Sequence, residues 1–160
     1  MNSKTQFIQR FNTAREEMRT LLPKVDLKME IYPGWTIKEV LAHLAGWDDA
    51  TILTLQAFVN HHPPLMTAVR GIDFYNSQTV AERKALSYSQ IVSEWEWVRE
   101  QLIPILGQMD EQKLQATLIS PWGPSMSVAD LLNVMIHHEE EHAQVIRDRV
   151  AHPEHPTQPH

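Results

Sequence analysis

SVADLLNVMIHHEEEHAQVIRDRV, residues 127–150, is the stretch that decides the fold. At about 100° per residue, Leu131, Met135, Val145 and Ile146 fall on one face of a helix. His138 and His142 sit near the centre of that face, about 40° apart. Two imidazoles one turn apart point the same way, as two metal ligands on one helix must. An apolar, core-facing stripe is a costly place for two polar rings unless something satisfies them. The segment therefore predicts a helix packed into a bundle and a site within that bundle.

Working outward, three more helical patterns lie upstream. Phe7, Phe11, Ala14, Met18 and Leu21 recur at helical spacing, and Pro23 closes the first helix. The second opens at Thr36 with Glu39 three residues on, a capping box. Its stripe is Val40, Leu44, Trp47, Thr51, Leu55 and Phe58, and it stops before His61-His62-Pro63-Pro64. The third starts near Ser87, with Gln90 at the reciprocal capping position and Ile91, Trp95, Val98, Leu102 and Ile105 inside. Pro104 is placed to kink its end. The fourth opens at Ser127, with Asp130 three on. Between helices two and three, Gly71 to Lys84 reads as a short helix or an ordered crossover. Between three and four, Gln108 to Met126 is rich in turn residues around Pro121-Trp122-Gly123-Pro124. No segment alternates with period two, so no strand is expected. The expected fold is all-α, an antiparallel four-helix bundle.

The 160 residues suit one domain with a sizeable core. That domain is expected over 1–150, followed by a Pro/His-rich tail over 151–160. The net charge is −6 and no basic patch appears, so neither nucleic acid nor an anionic membrane is an expected partner. The chain has no cysteine, hence no thiolate ligand and no cysteine nucleophile of its own. The polar start MNSKTQ does not read as a signal peptide, and no apolar run is long enough to span a bilayer. The expected location is the cytoplasm.

A catalytic metal usually takes three protein ligands and keeps an open position. His138 and His142 supply two. His43 is the best candidate for the third, because it lies at the edge of the apolar stripe of helix two, near Val40 and Trp47. Taken alone, His43 suits a core histidine satisfied by a carbonyl or carboxylate. His61 and His62 lie in a Pro-rich loop, His152, His155 and His160 lie in the tail, and His137 turns toward the polar flank. Glu139 and Glu141, on the two flanks, are placed to orient a ligand imidazole, while Glu140 points outward. The string from His138 to His142 also matches the H-E-x-x-H of metalloproteases, with Glu139 as general base. The longer form of that signature fails, since Val145 stands in place of its glycine and Asp148 in place of its third histidine.

The stretches GWTIKEVLAHLAGWDD, IDFYNSQTVAERKALS and HHEEEHAQVIRD resemble the DinB-like superfamily of four-helix proteins, over about residues 4–149. That resemblance implies the DinB/YfiT-like bundle, with a long crossover between helices two and three. It implies a metal-binding triad, one histidine after a W-[ST]-x-x-[ED]-x-[LIV]-x-H pattern and an H-x-x-x-H pair on helix four. His43, His138 and His142 occupy those places, and zinc or nickel is the implied metal. Some relatives are thiol-dependent isomerases or transferases using mycothiol, bacillithiol or glutathione, others are taken as hydrolases, and homodimers are common. Relatives often place a glutamine three residues past the last ligand, whereas here Gln144 stands at two.

The expected function is metal-dependent activation of water or of a low-molecular-weight thiol supplied from solution, on a small-molecule substrate. Trp47, Trp95 and Trp122 are candidate pocket walls, with core packing the alternative for Trp95. The rival readings are a non-catalytic metal-binding or stress-response module and a metal-dependent hydrolase.

Overall fold

The side chains that open the four long helices are short oxygen acceptors, as the sequence requires. The computed structural model describes residues 3–154. Among these, the helices are α1 (Lys4–Leu21), α2 (Ile37–Val59), α3 (Ile72–Glu82), α4 (Tyr88–Gly107), α5 (Glu111–Gln115) and α6 (Val128–Ala151). Capping boxes start α2 at Thr36 and Glu39 and α4 at Ser87 and Gln90. On α6 the Ser127 hydroxyl accepts the Asp130 N–H at 3.0 Å. Ser3 and Gln6 cap α1 in the same way. After α1 the chain tightens into a 3₁₀ turn, Leu22–Lys24, around Pro23. α4 runs on past Pro104 to Gly107. Residues 155–160 of the expected tail lie outside the described residues.

The four long helices close into a ring in which α1 and α2 each pack on both α4 and α6. Lys4 donates to the Gly107 carbonyl and Arg19 pairs with Glu96, so α1 and α4 run in opposite directions. Arg10 donates to Asn133 and Arg15 to Glu139, so α1 and α6 run the same way. α2 opposes α6, because His43 faces His142 while Asp48 shares Arg15 with the earlier Glu139. Hence α2 and α4 are parallel. Residues 60–87 make that possible by returning the chain to the end where α2 began. The expected crossover is thus a working part of the topology, and α3 forms inside it.

α3 lies directly on α2 at Gly46. A Cβ there would stand 1.9 Å from Thr79 Oγ1, and the Tyr75 hydroxyl donates to the Gly46 carbonyl at 2.6 Å. Only glycine permits that approach.

One element departs from expectation. β1 (Thr117–Ile119) and β2 (Ser125–Ser127) pair antiparallel, with Leu118 opposite Met126. Three residues per strand are too few to show a period of two. The turn between them is held by the Gly123 N–H on the Ser120 carbonyl, with Gly123 at a φ of 116°. It carries Trp122 over the core. No helix among the described residues is long and apolar enough to cross a membrane.

Candidate metal centre

α2 presents His43, and α6 presents His138 and His142, at the interface those two helices share. The three Nε2 atoms converge. His43 is 2.8 Å from His138 and 3.1 Å from His142, and His138 is 3.0 Å from His142. His43 and His142 are fully buried, and His138 is half-buried.

That triangle has a chemical consequence. Each Nε2 is either an N–H donor or a lone-pair acceptor. Three atoms in mutual contact cannot alternate between two roles, so at least one contact sets like against like. A cation drawing all three lone pairs removes the conflict. Ligands at about 2.1 Å from one small cation stand about 3.0–3.4 Å apart, close to the spacing seen here. The donor set therefore fits a divalent metal, and neutral imidazole nitrogens suit both zinc and nickel.

The segment joining α1 to α2 supplies what surrounds the triad. The Ile31 N–H donates to the Trp35 carbonyl at 2.7 Å, and Gly34 turns the chain with φ at 81°. This turn brings the Tyr32 oxygen to 2.8 Å from His142 Nδ1, and sets the Trp35 ring, tilted by 50°, with its centroid 5.1 Å from that of His43. With the His142 Nε2 lone pair turned into the triangle, its Nδ1–H donates to Tyr32. Burial first, and then the negative charge of Glu141, push the Tyr32 phenol above its ordinary range, so it stays neutral. Sequence reading passes over Tyr32 and meets Trp35 only as the first residue of the pattern that ends at His43. The Pro33-Gly34 turn signal beside them was the available clue.

A cavity of about 640 Å³ opens on the triad. His43 and His138 line it, with Trp47, Trp122, Ile72 and Asn76 among its other walls. Asn76 on α3 accepts the Trp47 indole N–H at 2.8 Å, and Trp122 meets Trp47 edge-on at 5.9 Å. Trp47 and Trp122 are thus walls, as expected. Trp95 is not, since it is wholly buried in the core under the Arg15 guanidinium.

The other described histidines stay apart from the triad. His137 is exposed and contacts Glu140, and His61 and His62 line another cavity beyond the end of α2. His152 is exposed after α6, while His155 and His160 lie outside the described residues. Gln144 is exposed and donates to Asp148.

Glu139 corrects one expectation. It orients no imidazole and is not free to act as a base. Its side chain is 2% exposed and is held by Arg15 at 2.8 Å and by Arg99. Burial alone raises a carboxyl, but here the Arg99 and Arg15 guanidiniums outweigh it and hold Glu139 down at about 2. The helical wheel put Glu139 on a flank. α6 packs against both α1 and α2, so its buried face is wider than one stripe.

Known proteins carry the comparison further. The model of the DinB superfamily matches residues 6–146. The colibactin self-resistance protein ClbS, crystallised in complex with a dsDNA, shares the fold at a TM-score of 0.77 and 10% identity, covering 93% of this chain and 96% of its own. An uncharacterised protein from Escherichia coli UTI89 aligns at 0.77 and 11% identity over 98% of each chain. The sibling lethal factor precursor DfsB aligns at 0.79 and 14% identity, over 96% of this chain and 98% of its own. No curated protein matches. Likenesses at these identities speak to fold alone.

They nonetheless overturn the exclusion of nucleic acid drawn from charge. A protein of this fold is crystallised with DNA, and net charge summed over a chain does not fix the potential at one surface. The match across residues 6–146, on a fold shared nearly end to end with solved structures, makes this chain a member of the DinB superfamily.

Proposed function

We propose that His43, His138 and His142 hold one divalent metal, zinc or nickel, in an enzyme that activates water or a low-molecular-weight thiol. The convergence of three Nε2 atoms at 2.8–3.1 Å carries this reading. A bound divalent cation supplies a Lewis acid that lowers the pKa of a water or thiol beside it. The chain has no cysteine, so the thiol comes from solution.

The protein's own residues have separable tasks. Tyr32 fixes the ring plane and tautomer of His142. Trp47, tied to Asn76, and Trp122 keep one side of the cavity apolar and shed water from a bound substrate. Glu139 is engaged by two arginines and takes no proton, which argues against the H-E-x-x-H peptidase reading.

Metal analysis of protein purified without a His-tag or nickel column is the first test. One equivalent of zinc or nickel is expected, and it should be lost in His138→Ala and in His142→Ala. Full stoichiometry in either variant overturns the triad. A cobalt-substituted sample then separates thiol from water. A near-ultraviolet charge-transfer band on adding glutathione, bacillithiol or mycothiol supports the thiol reading. Its absence with all three favours the hydrolase. The DNA bound by ClbS makes a labelled duplex a ligand to assay beside them, at low salt.

A further inference from the structure

One residue from each long helix meets at the centre of the bundle. Arg15 of α1 donates to Asp48 of α2 at 2.9 Å and to Glu139 of α6 at 2.8 Å. Arg99 of α4 donates to both Asp48 oxygens, at 3.2 and 3.3 Å, and to Glu139. None of the four is more than 5% exposed. The two positive and two negative charges cancel, and every carboxylate oxygen has a donor. Arg15 and Arg99 also donate to the Trp95 and Phe11 carbonyls.

We propose that this quartet is a register clamp for the metal centre, and that its four members are positioning residues rather than stabilisers of the fold. The inference rests on the metal reading of the triad. The chain places the charges beside the ligands. Glu139 follows His138 directly and precedes His142 by three residues, and Asp48 follows His43 by five. A shift of α6 against α2 at the quartet is therefore passed to the three rings within about one turn.

Apolar packing specifies register less sharply, because cores repacked at constant volume lose uniqueness before they lose stability. Charges in a low-dielectric interior tolerate no such repacking. Apolar residues of similar volume commonly match or exceed a buried ion network in stability, and the best-attested use of buried polar groups is to fix register. A site built from two helices, whose nitrogens meet within 3.1 Å, needs that precision.

The test is the variant Arg15→Met/Asp48→Leu/Arg99→Met/Glu139→Leu, compared with wild type by thermal melting, zinc affinity in chelator competition, and the visible spectrum of the cobalt form. A melting midpoint at or above wild type is expected. Zinc affinity should fall about 10–100-fold, the range for lost outer partners of metal ligands. The cobalt bands should broaden, as ligands in more than one register would make them. A folded variant with zinc affinity within twofold of wild type and an unchanged cobalt spectrum overturns the clamp. So does a variant that fails to fold, since the quartet would then serve the fold itself. Arg99→Lys gives an independent answer, because it keeps the charge and loses the fork. It should fold and bind zinc several-fold more weakly, and wild-type affinity would again overturn the proposal. Wild-type protein that takes up no zinc fails the metal reading itself, an outcome distinct from these.

Discussion

At the scale of single residues, Tyr32 shows how the proposed ligand His142 depends on its neighbours. Its oxygen lies 2.8 Å from His142 Nδ1 in a buried setting. Tyr32→Phe leaves a buried Nδ1–H without that acceptor, at a cost of about 1–3 kcal/mol, and frees the ring to rotate. Zinc affinity should drop about 10–100-fold while the helical signal is kept, as chelator competition and circular dichroism would show. Unchanged affinity would mean that Tyr32 does not orient His142. Arg15 makes the opposite kind of point. Arg15→Met alone leaves Asp48 and Glu139 sharing one buried guanidinium. It should destabilise by about 3–5 kcal/mol in urea unfolding, unlike the fully apolar quartet variant. A loss under about 1 kcal/mol would show that the carboxylates find other partners.

At the scale of elements, the crossover is fastened by a single close approach. An alanine at position 46 gains helix propensity worth about 1 kcal/mol. Its Cβ also meets Thr79 Oγ1 at 1.9 Å and Thr79 Cβ at 2.7 Å. Moving α3 away breaks the Tyr75 bond to the Gly46 carbonyl and the Asn76 bond to Trp47. Overpacking of this kind costs about 1–3 kcal/mol, so the clash should prevail. Gly46→Ala should lower the melting midpoint, and hydrogen exchange should quicken in α3 before it does in α4. A variant as stable as wild type would show that α3 adjusts without strain. The element also ties fold to site, because Asn76 and Ile72 of α3 wall the cavity over the triad.

For the whole molecule, acid should act in two stages. Imidazoles bind metal only when neutral, so occupancy should fall as pH is lowered from 8 to 4. Occupancy that stays flat through that range would argue against a histidine site. Unfolding belongs to a lower range. Glu139 sits at about 2 in the folded protein, against 4.5 unfolded. Its contribution is therefore complete above about pH 4.5 and is lost as pH falls toward 2. Circular dichroism of the metal-free protein should show helix loss within that window, and the apolar quartet variant should lack this component. The four amphipathic stripes, their caps and the two inward faces bearing His43, His138 and His142 were legible in the sequence, because each depends on the spacing of residues near in the chain. The order of helices around the ring, the Tyr32 contact and the pairing of Arg15, Asp48, Arg99 and Glu139 were not. A charged residue on each apolar stripe was a visible sign, but its partner lies from 33 to 124 residues away. Which faces turn inward follows from spacing along each helix and is set before any two helices meet. Which inward-facing groups meet depends on how four separately formed helices are rotated and staggered against one another, so it is a property of their packing and not of any one segment.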